Sequence, residues 1–175
     1  MVNIPRTVKD PKHRYKMPII RTKVEGKGIN ISTNILNLIQ VAKALRIGPI
    51  YIIKWLEYEM GSNTQFVDTK QQKKASIRGN KSVEDLMRCL DKFIRDYIVC
   101  PGCGDPELVT SVNDGAISSR CNACGRTTSV DVSHKLSKFM IKNPPKNLQD
   151  IQAQAKQEMQ KKQFKARKYV LIKKY

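Results

Sequence analysis

The chain has 175 residues, with 33 Lys and Arg against 15 Asp and Glu, a formal charge of +18. That length suits one domain, or one small domain with a satellite module, and a hydrophobic content of 40% supports a modest core. So large a positive charge opposes compaction unless an anionic partner or solvent screens it; it favours a nucleic-acid surface over a mere solubility device or a disordered basic tail. No apolar run approaches the ~20 residues needed to span a bilayer. The start, residues 1–14, is charged and lacks the apolar stretch of an export signal. The expectation is an intracellular, cytoplasmic protein with reduced cysteines and no membrane partner.

Residues 1–16 hold Pro5 and Pro11 and show no apolar period, which reads as an extended N-terminal arm. Residues 17–24 have the apolar content of a strand, and Gly26-Lys27-Gly28 reads as a turn or flexible loop. Ile35, Leu38, Ile39, Ala42 and Leu45 recur at helical spacing, with Ser32 or Thr33 available as cap. Gly48-Pro49 breaks that helix and opens the next, whose Ile52, Leu56 and Met60 share a face as far as Gly61. Two helices joined by Gly-Pro match the spacing of a helix-turn-helix, but plain packing on a sheet is favoured because no other cue of DNA binding accompanies it. Residues 64–68 and 75–78 are short strand candidates joined by the polar Gln71-Gln72-Lys73-Lys74 run. Val83, Leu86, Met87, Leu90, Phe93, Ile94 and Tyr97 trace one apolar stripe, and Ser82 with Asp85 forms a capping box at its head. Cys89 borders the stripe and reads as a buried, inert thiol. The fold class is α+β: a small sheet-and-helix domain over residues 17–98.

Residues 99–145 form a second unit around a metal. Cys100 and Cys103, then Cys121 and Cys124, are two Cys-x-x-Cys pairs separated by seventeen residues. Two-residue spacing lets a tight turn aim both thiolates at one point, and two such turns complete a tetrahedron. Small residues in the turns leave backbone amides free to donate to sulfur. Residues 108–112 and 116–120 read as strands joined by Asn113-Asp114-Gly115, with a third strand over 126–132. This is the pattern of a four-cysteine zinc ribbon holding one structural Zn2+. With all four positions filled by cysteine, none is open to water, so the site is not catalytic. A redox dithiol or an iron–sulfur cluster are the rivals. His13 and His134 stand outside ligand spacing and read as surface or packing residues. Residues 146–175 carry nine basic and two acidic residues and read as a basic tail, helical in part and without a core of its own.

Two runs near the start, His13-Arg14-Tyr15-Lys16-Met17-Pro18 and Lys23-Val24-Glu25-Gly26-Lys27-Gly28, resemble the opening of eukaryotic translation initiation factor 5. So do Val41-Ala42-Lys43-Ala44-Leu45 and Ile50-Tyr51-Ile52-Ile53-Lys54. The four-cysteine ribbon, the run from His134 to Phe139, and Lys142-Asn143-Pro144-Pro145 continue the resemblance, which is collinear over about residues 6–145. The beta subunit of initiation factor 2 shares the two-domain plan, but the Arg-Tyr-Lys-Met-Pro arm and the Lys-Asn-Pro-Pro ending are marks of factor 5.

The resemblance implies a regulatory factor rather than an enzyme. It implies acceleration of GTP hydrolysis by initiation factor 2 when the scanning small ribosomal subunit reaches a start codon. The family's activating arginine aligns with Arg14, whose side chain read alone would be an ordinary solvated charge. Of two supporting lysines, one aligns with Lys54 and the other falls on Ser32, a departure. The loop that approaches the start codon and initiator tRNA aligns with Lys23, Gly26, Lys27 and Gly28; the family's Asn-Gly-Ile after it reads Ile29-Asn30-Ile31 here. Implied partners are initiation factor 2 with GTP and initiator tRNA, the small ribosomal subunit and the start-codon region of mRNA. The alternative is a tRNA- or rRNA-binding factor, like the beta subunit, without GTPase activation; a zinc-ribbon transcription protein shares only the ribbon. The chain has no Gly-x4-Gly-Lys-Ser/Thr phosphate loop, so it is not expected to be a GTPase itself. Family members carry a C-terminal helical repeat domain, where this sequence is expected to offer only its basic tail.

Overall fold

The structure, a computed structural model, describes residues 1–69, 73–113, 115–130 and 132–145. The basic tail, and Gln71 and Gln72 of the polar run, lie outside the described residues. The molecule opens with β1 (Val2–Asn3), which pairs antiparallel with β2 (Lys16–Met17). The segment expected to run as an extended arm is therefore a loop closed at its base. Ile4 and Met17 are buried in the core, and Ile4 N donates to Tyr15 O at 3.0 Å. Asn3 Nδ2 donates to Val8 O and Asp10 O, and Arg6 forms an ion pair with Asp91. Two apolar anchors at the base of the loop outweigh the two prolines within it.

The expected strand over 17–24 is split. Pro18 has no amide to continue a ladder, and pairing resumes at β3 (Thr22–Glu25). A short 3-10 turn, Gly28–Asn30, leads into β4 (Ser32–Ile35). Helix α1 covers only Leu38–Ala44. Ile35 has helical spacing to Leu38, but Thr33 to Ile35 are claimed by a sheet. Thr33 Oγ1 donates to Gly79 O at 2.7 Å and accepts from Lys81 N at 2.9 Å. The residue at the helix start is Asn37, whose side chain accepts from Arg21 N and donates to Ile19 O, so it ties the helix to the chain before β3 instead of capping it.

Helix α2 (Pro49–Met60) runs as expected from its N-terminal proline to Gly61, which ends it in the left-handed conformation. Strands β5 (Thr64–Asp68) and β6 (Lys73–Arg78) complete an antiparallel sheet of order β3-β4-β6-β5. Helix α3 (Val83–Tyr97) buries Leu86, Met87, Leu90, Phe93, Ile94 and Tyr97. Its Ser82 cap accepts from Asp85 N at 3.0 Å and donates to Asp85 Oδ2 at 2.8 Å. The apolar faces of these helices join Ile35, Ala75 and Ile77 of the sheet in one core.

The ribbon is a three-stranded antiparallel sheet of β7 (Leu108–Asn113), β8 (Ala116–Cys121) and β9 (Thr127–Ser129). Then comes α4 (Lys135–Lys142), a helix that the sequence reading did not assign. His134 Nδ1 accepts from Leu136 N at its head, and Leu136 and Met140 are fully buried in the core shared with α2 and α3. Tyr97 Oη and Ser137 Oγ lie 2.9 Å apart, and Tyr51 Oη donates to Asn143 O at 2.8 Å. The His134 ring lies 4.5 Å from that of Trp55, so it is a packing residue, as its spacing implied. The α+β class, followed by a four-cysteine cluster, matches the expectation.

Candidate metal centre and arginine arm

The two cysteine turns are built alike. Gly104 N donates to Cys100 O at 2.8 Å, and Gly125 N to Cys121 O at 2.9 Å. Each turn is closed by its first cysteine: Cys100 N donates to Asp105 O and Cys121 N to Arg126 O, both at 2.9 Å. Gly104 at φ +79 and Gly125 at φ +73 occupy the matching left-handed position, which favours glycine. Because β7 and β8 pair with Leu108 opposite Cys121, the sheet register brings the second turn against the first.

The four sulfur atoms lie within 4.8 Å of one another. Cys100 and Cys124 are 3.7 Å apart, and Cys103 and Cys121 are 3.6 Å apart. A tetrahedron with metal–sulfur bonds of ~2.3 Å has edges of ~3.8 Å, so these separations fit one structural metal ion held by all four cysteines. Cys100 and Cys121 are buried, while Cys103 and Cys124 face outward. The amides of Cys103 and Gly102 donate toward the Cys100 sulfur, Gly102 N at 3.3 Å, and hold its thiol at about 6. The Asp105 amide favours the Cys103 thiolate, but desolvation and the neighbouring sulfurs push that thiol up to about 12. Four thiols in one space cannot all ionise without a cation to share. Cys89 stands apart, half-buried at α3, with its thiol pushed up by burial.

Lys23 lies in β3, opposite Asn34 of β4, while Gly26, Lys27 and Gly28 fall on the connection between these two strands. Lys27 is exposed, and Ile29 at the tip is 84% exposed. Lys23 pairs with Glu25 across 3.1 Å. Gly26 sits at φ +93, and a Cβ there would stand 2.3 Å from Asn30 O, so the turn requires glycine. Arg14 is exposed near the end of the arm loop, its guanidinium carbon 5.5 Å above the Tyr15 ring. Lys54 lies on α2, where its ammonium donates to both oxygens of Glu57 at 3.1 and 2.9 Å. Arg14, Lys54 and the hairpin loop thus sit on three separate elements. Sequence reasoning passed over Glu107, a buried carboxylate that bonds Arg46 at 2.6 Å. An acidic residue in so basic a chain was the available signal.

The sequence profile of the domain found in initiation factors 2B and 5 matches residues 5–127. Eukaryotic translation initiation factor 5 of Caenorhabditis elegans is 42% identical over 145 residues, 83% of this chain and 33% of that protein. The Mus musculus protein of the same name is 43% identical over 148 residues, 83% of this chain and 34% of that protein. That of Saccharomyces cerevisiae is 39% identical over 147 residues, 82% of this chain and 35% of that protein. The chain spans about a third of the length of the curated relatives it matches. It belongs to the family that carries the domain found in initiation factors 2B and 5, the family of eukaryotic translation initiation factor 5.

Proposed function

We propose that this chain is a translation initiation factor that stimulates GTP hydrolysis by initiation factor 2 at start-codon recognition on the small ribosomal subunit. The observation that carries this reading is the placement of Arg14, an exposed guanidinium on a tethered loop inside the family-matched segment. The transition state of phosphoryl transfer gathers charge on oxygens that a planar guanidinium can bridge, and an arginine supplied in trans raises the rate by ~10³ to 10⁵. The chain supplies this group to a partner's GTP and is not itself the GTPase. Lys54 supports the arm in this reading, and its hold on Glu57 fixes its position on α2.

The β3–β4 hairpin that carries Lys23, Gly26, Lys27 and Gly28 is the proposed contact to the start codon paired with initiator tRNA, where close backbone approach favours glycine and phosphates favour lysine. The metal in this account is one Zn2+, since two Cys-x-x-Cys turns making a closed tetrahedral set are the usual structural zinc arrangement. Its place of work is the cytoplasm. A second reading, RNA binding without GTPase activation, draws on Ser32 standing where the resemblance sets a second lysine, and on Lys54 being engaged by Glu57. Single-turnover GTP hydrolysis by initiation factor 2 in a reconstituted small-subunit complex separates the two. The first reading expects at least a hundredfold faster hydrolysis on adding the chain. An unchanged rate with retained ribosome binding supports the second.

A further inference from the structure

Gly102 stands between Cys100 and Cys103, and its lack of a side chain has a different cause from that of the glycines that follow the two cysteine pairs. Gly104 and Gly125 are in the left-handed conformation, and a Cβ on either would meet nothing within 4 Å. Gly102 is outside that conformation, so its backbone would accept alanine. A Cβ there would instead stand 2.9 Å from both Cζ and Nε of Arg126 and 3.0 Å from its Nη1. Near-equal distances to three atoms of one guanidinium place that point above the plane of the group. The flat face of Arg126 therefore lies against Gly102.

Arg126 belongs to the second cysteine turn. Its carbonyl accepts from Cys121 N at 2.9 Å, and Thr127 after it pairs with Arg120 in the β8–β9 ladder. Gly102 belongs to the first turn, where its amide donates to the Cys100 sulfur at 3.3 Å. Arg126 thus closes one turn with its main chain and lies on the other with its side chain. It is exposed, so burial alone does not dictate this pose.

We propose that Arg126, seated on Gly102, is a positioning residue that clamps the two cysteine turns together and so slows loss of the metal they share. This rests on the reading of the four cysteines as one Zn2+ site. Each turn supplies one buried and one outward-facing ligand, and the ion is released when the turns separate. The Arg126 contact spans that separation. Groups that hold the ligands in place account for ~10–100-fold in metal affinity. An arginine serving only as a surface charge would leave metal retention unchanged when replaced.

The test is a double-mutant cycle in the full chain, read as the rate at which bound Zn2+ passes to a chromogenic chelator. Arg126→Ala should release Zn2+ about tenfold faster. Gly102→Ala should do nearly the same, because its methyl group displaces the free end of a flexible side chain and leaves the backbone in place. In the double variant Gly102→Ala should add nothing. Arg126→Lys should release as fast as Arg126→Ala, since an ammonium has no flat face to lay on the glycine. The visible spectrum of the Co2+-loaded chain should remain that of a tetrahedral four-sulfur site in each variant. Release from Arg126→Ala at the parental rate, loss of the four-sulfur spectrum, or a Gly102→Ala effect that persists without Arg126 overturns the clamp. If elemental analysis finds another metal or none, the zinc reading has failed by itself. The nuclear Overhauser contact between the Gly102 α-protons and the Arg126 side chain then decides the clamp, and its absence overturns it.

Discussion

Helix α3 and the strand pair β7–β8 differ in what holds them. From α3, six apolar or aromatic side chains enter the core. From β7 and β8, Ile117 and Cys121 are the buried hydrophobic residues, and the other buried side chains are Thr110 and Ser119. Burying a Leu or Phe contributes ~1.5–3 kcal/mol, whereas a hydroxyl pair such as Thr110 and Ser119, 3.1 Å apart, contributes little net. The helical side can stand on its own burial. The ribbon's sheet cannot, and a metal ion shared by the four cysteines would supply what its burial lacks. Helix α4 follows the ribbon in sequence but belongs energetically with α2 and α3, through Leu136 and Met140.

That contrast predicts its own largest effect. Metal removal should unfold residues 100–130 and leave α3 and α4 helical, because structural zinc supplies ~10–16 kcal/mol of apparent binding energy to such modules. Circular dichroism and amide exchange after chelation check this; loss of α4 along with the ribbon would break the division drawn here. Elemental analysis should find one zinc per chain, and iron would overturn the assignment.

Leu90→Ala removes a fully buried side chain from the other half. It should cost ~2–5 kcal/mol in denaturant unfolding while leaving metal content at one per chain. Gly26→Ala places a Cβ against the Asn30 carbonyl at positive φ, which should cost ~1–3 kcal/mol. Its amide-exchange changes should stay within the β3–β4 hairpin. Ser82→Ala removes the α3 cap, for a loss of ~1 kcal/mol. Thermal unfolding of the α3 signal should report it and the ribbon's signals should not.

Features written in local spacing were legible beforehand. The α3 stripe with its capping box, Pro49 and Gly61 bounding α2, and the two Cys-x-x-Cys turns each lie within one turn or one helix face. What the sequence hid depends on partners far along the chain. Ile35 fits a helix by spacing, yet β4 pairs with β6 more than forty residues later. The arm closes through two-residue strands too short to carry a period. Glu107 meets Arg46 across 61 residues, and no motif announces such a pair. Helix α4 was within reach, since Leu136 and Met140 stand four apart, but the cysteines drew its segment into the ribbon.

In the proposed function Arg14 is the side chain that reaches the partner's GTP, and its removal should leave both halves intact. It is exposed and outside both cores, so Arg14→Ala should change unfolding stability by less than ~0.5 kcal/mol. In single-turnover GTP hydrolysis by initiation factor 2, the same substitution should abolish stimulation, a transition-state loss of ~4–7 kcal/mol. Arg14→Lys should rescue poorly, because an ammonium cannot bridge two oxygens in one plane. Stimulation by Arg14→Ala equal to that of the parent chain would contradict the arginine reading and leave RNA binding as the function.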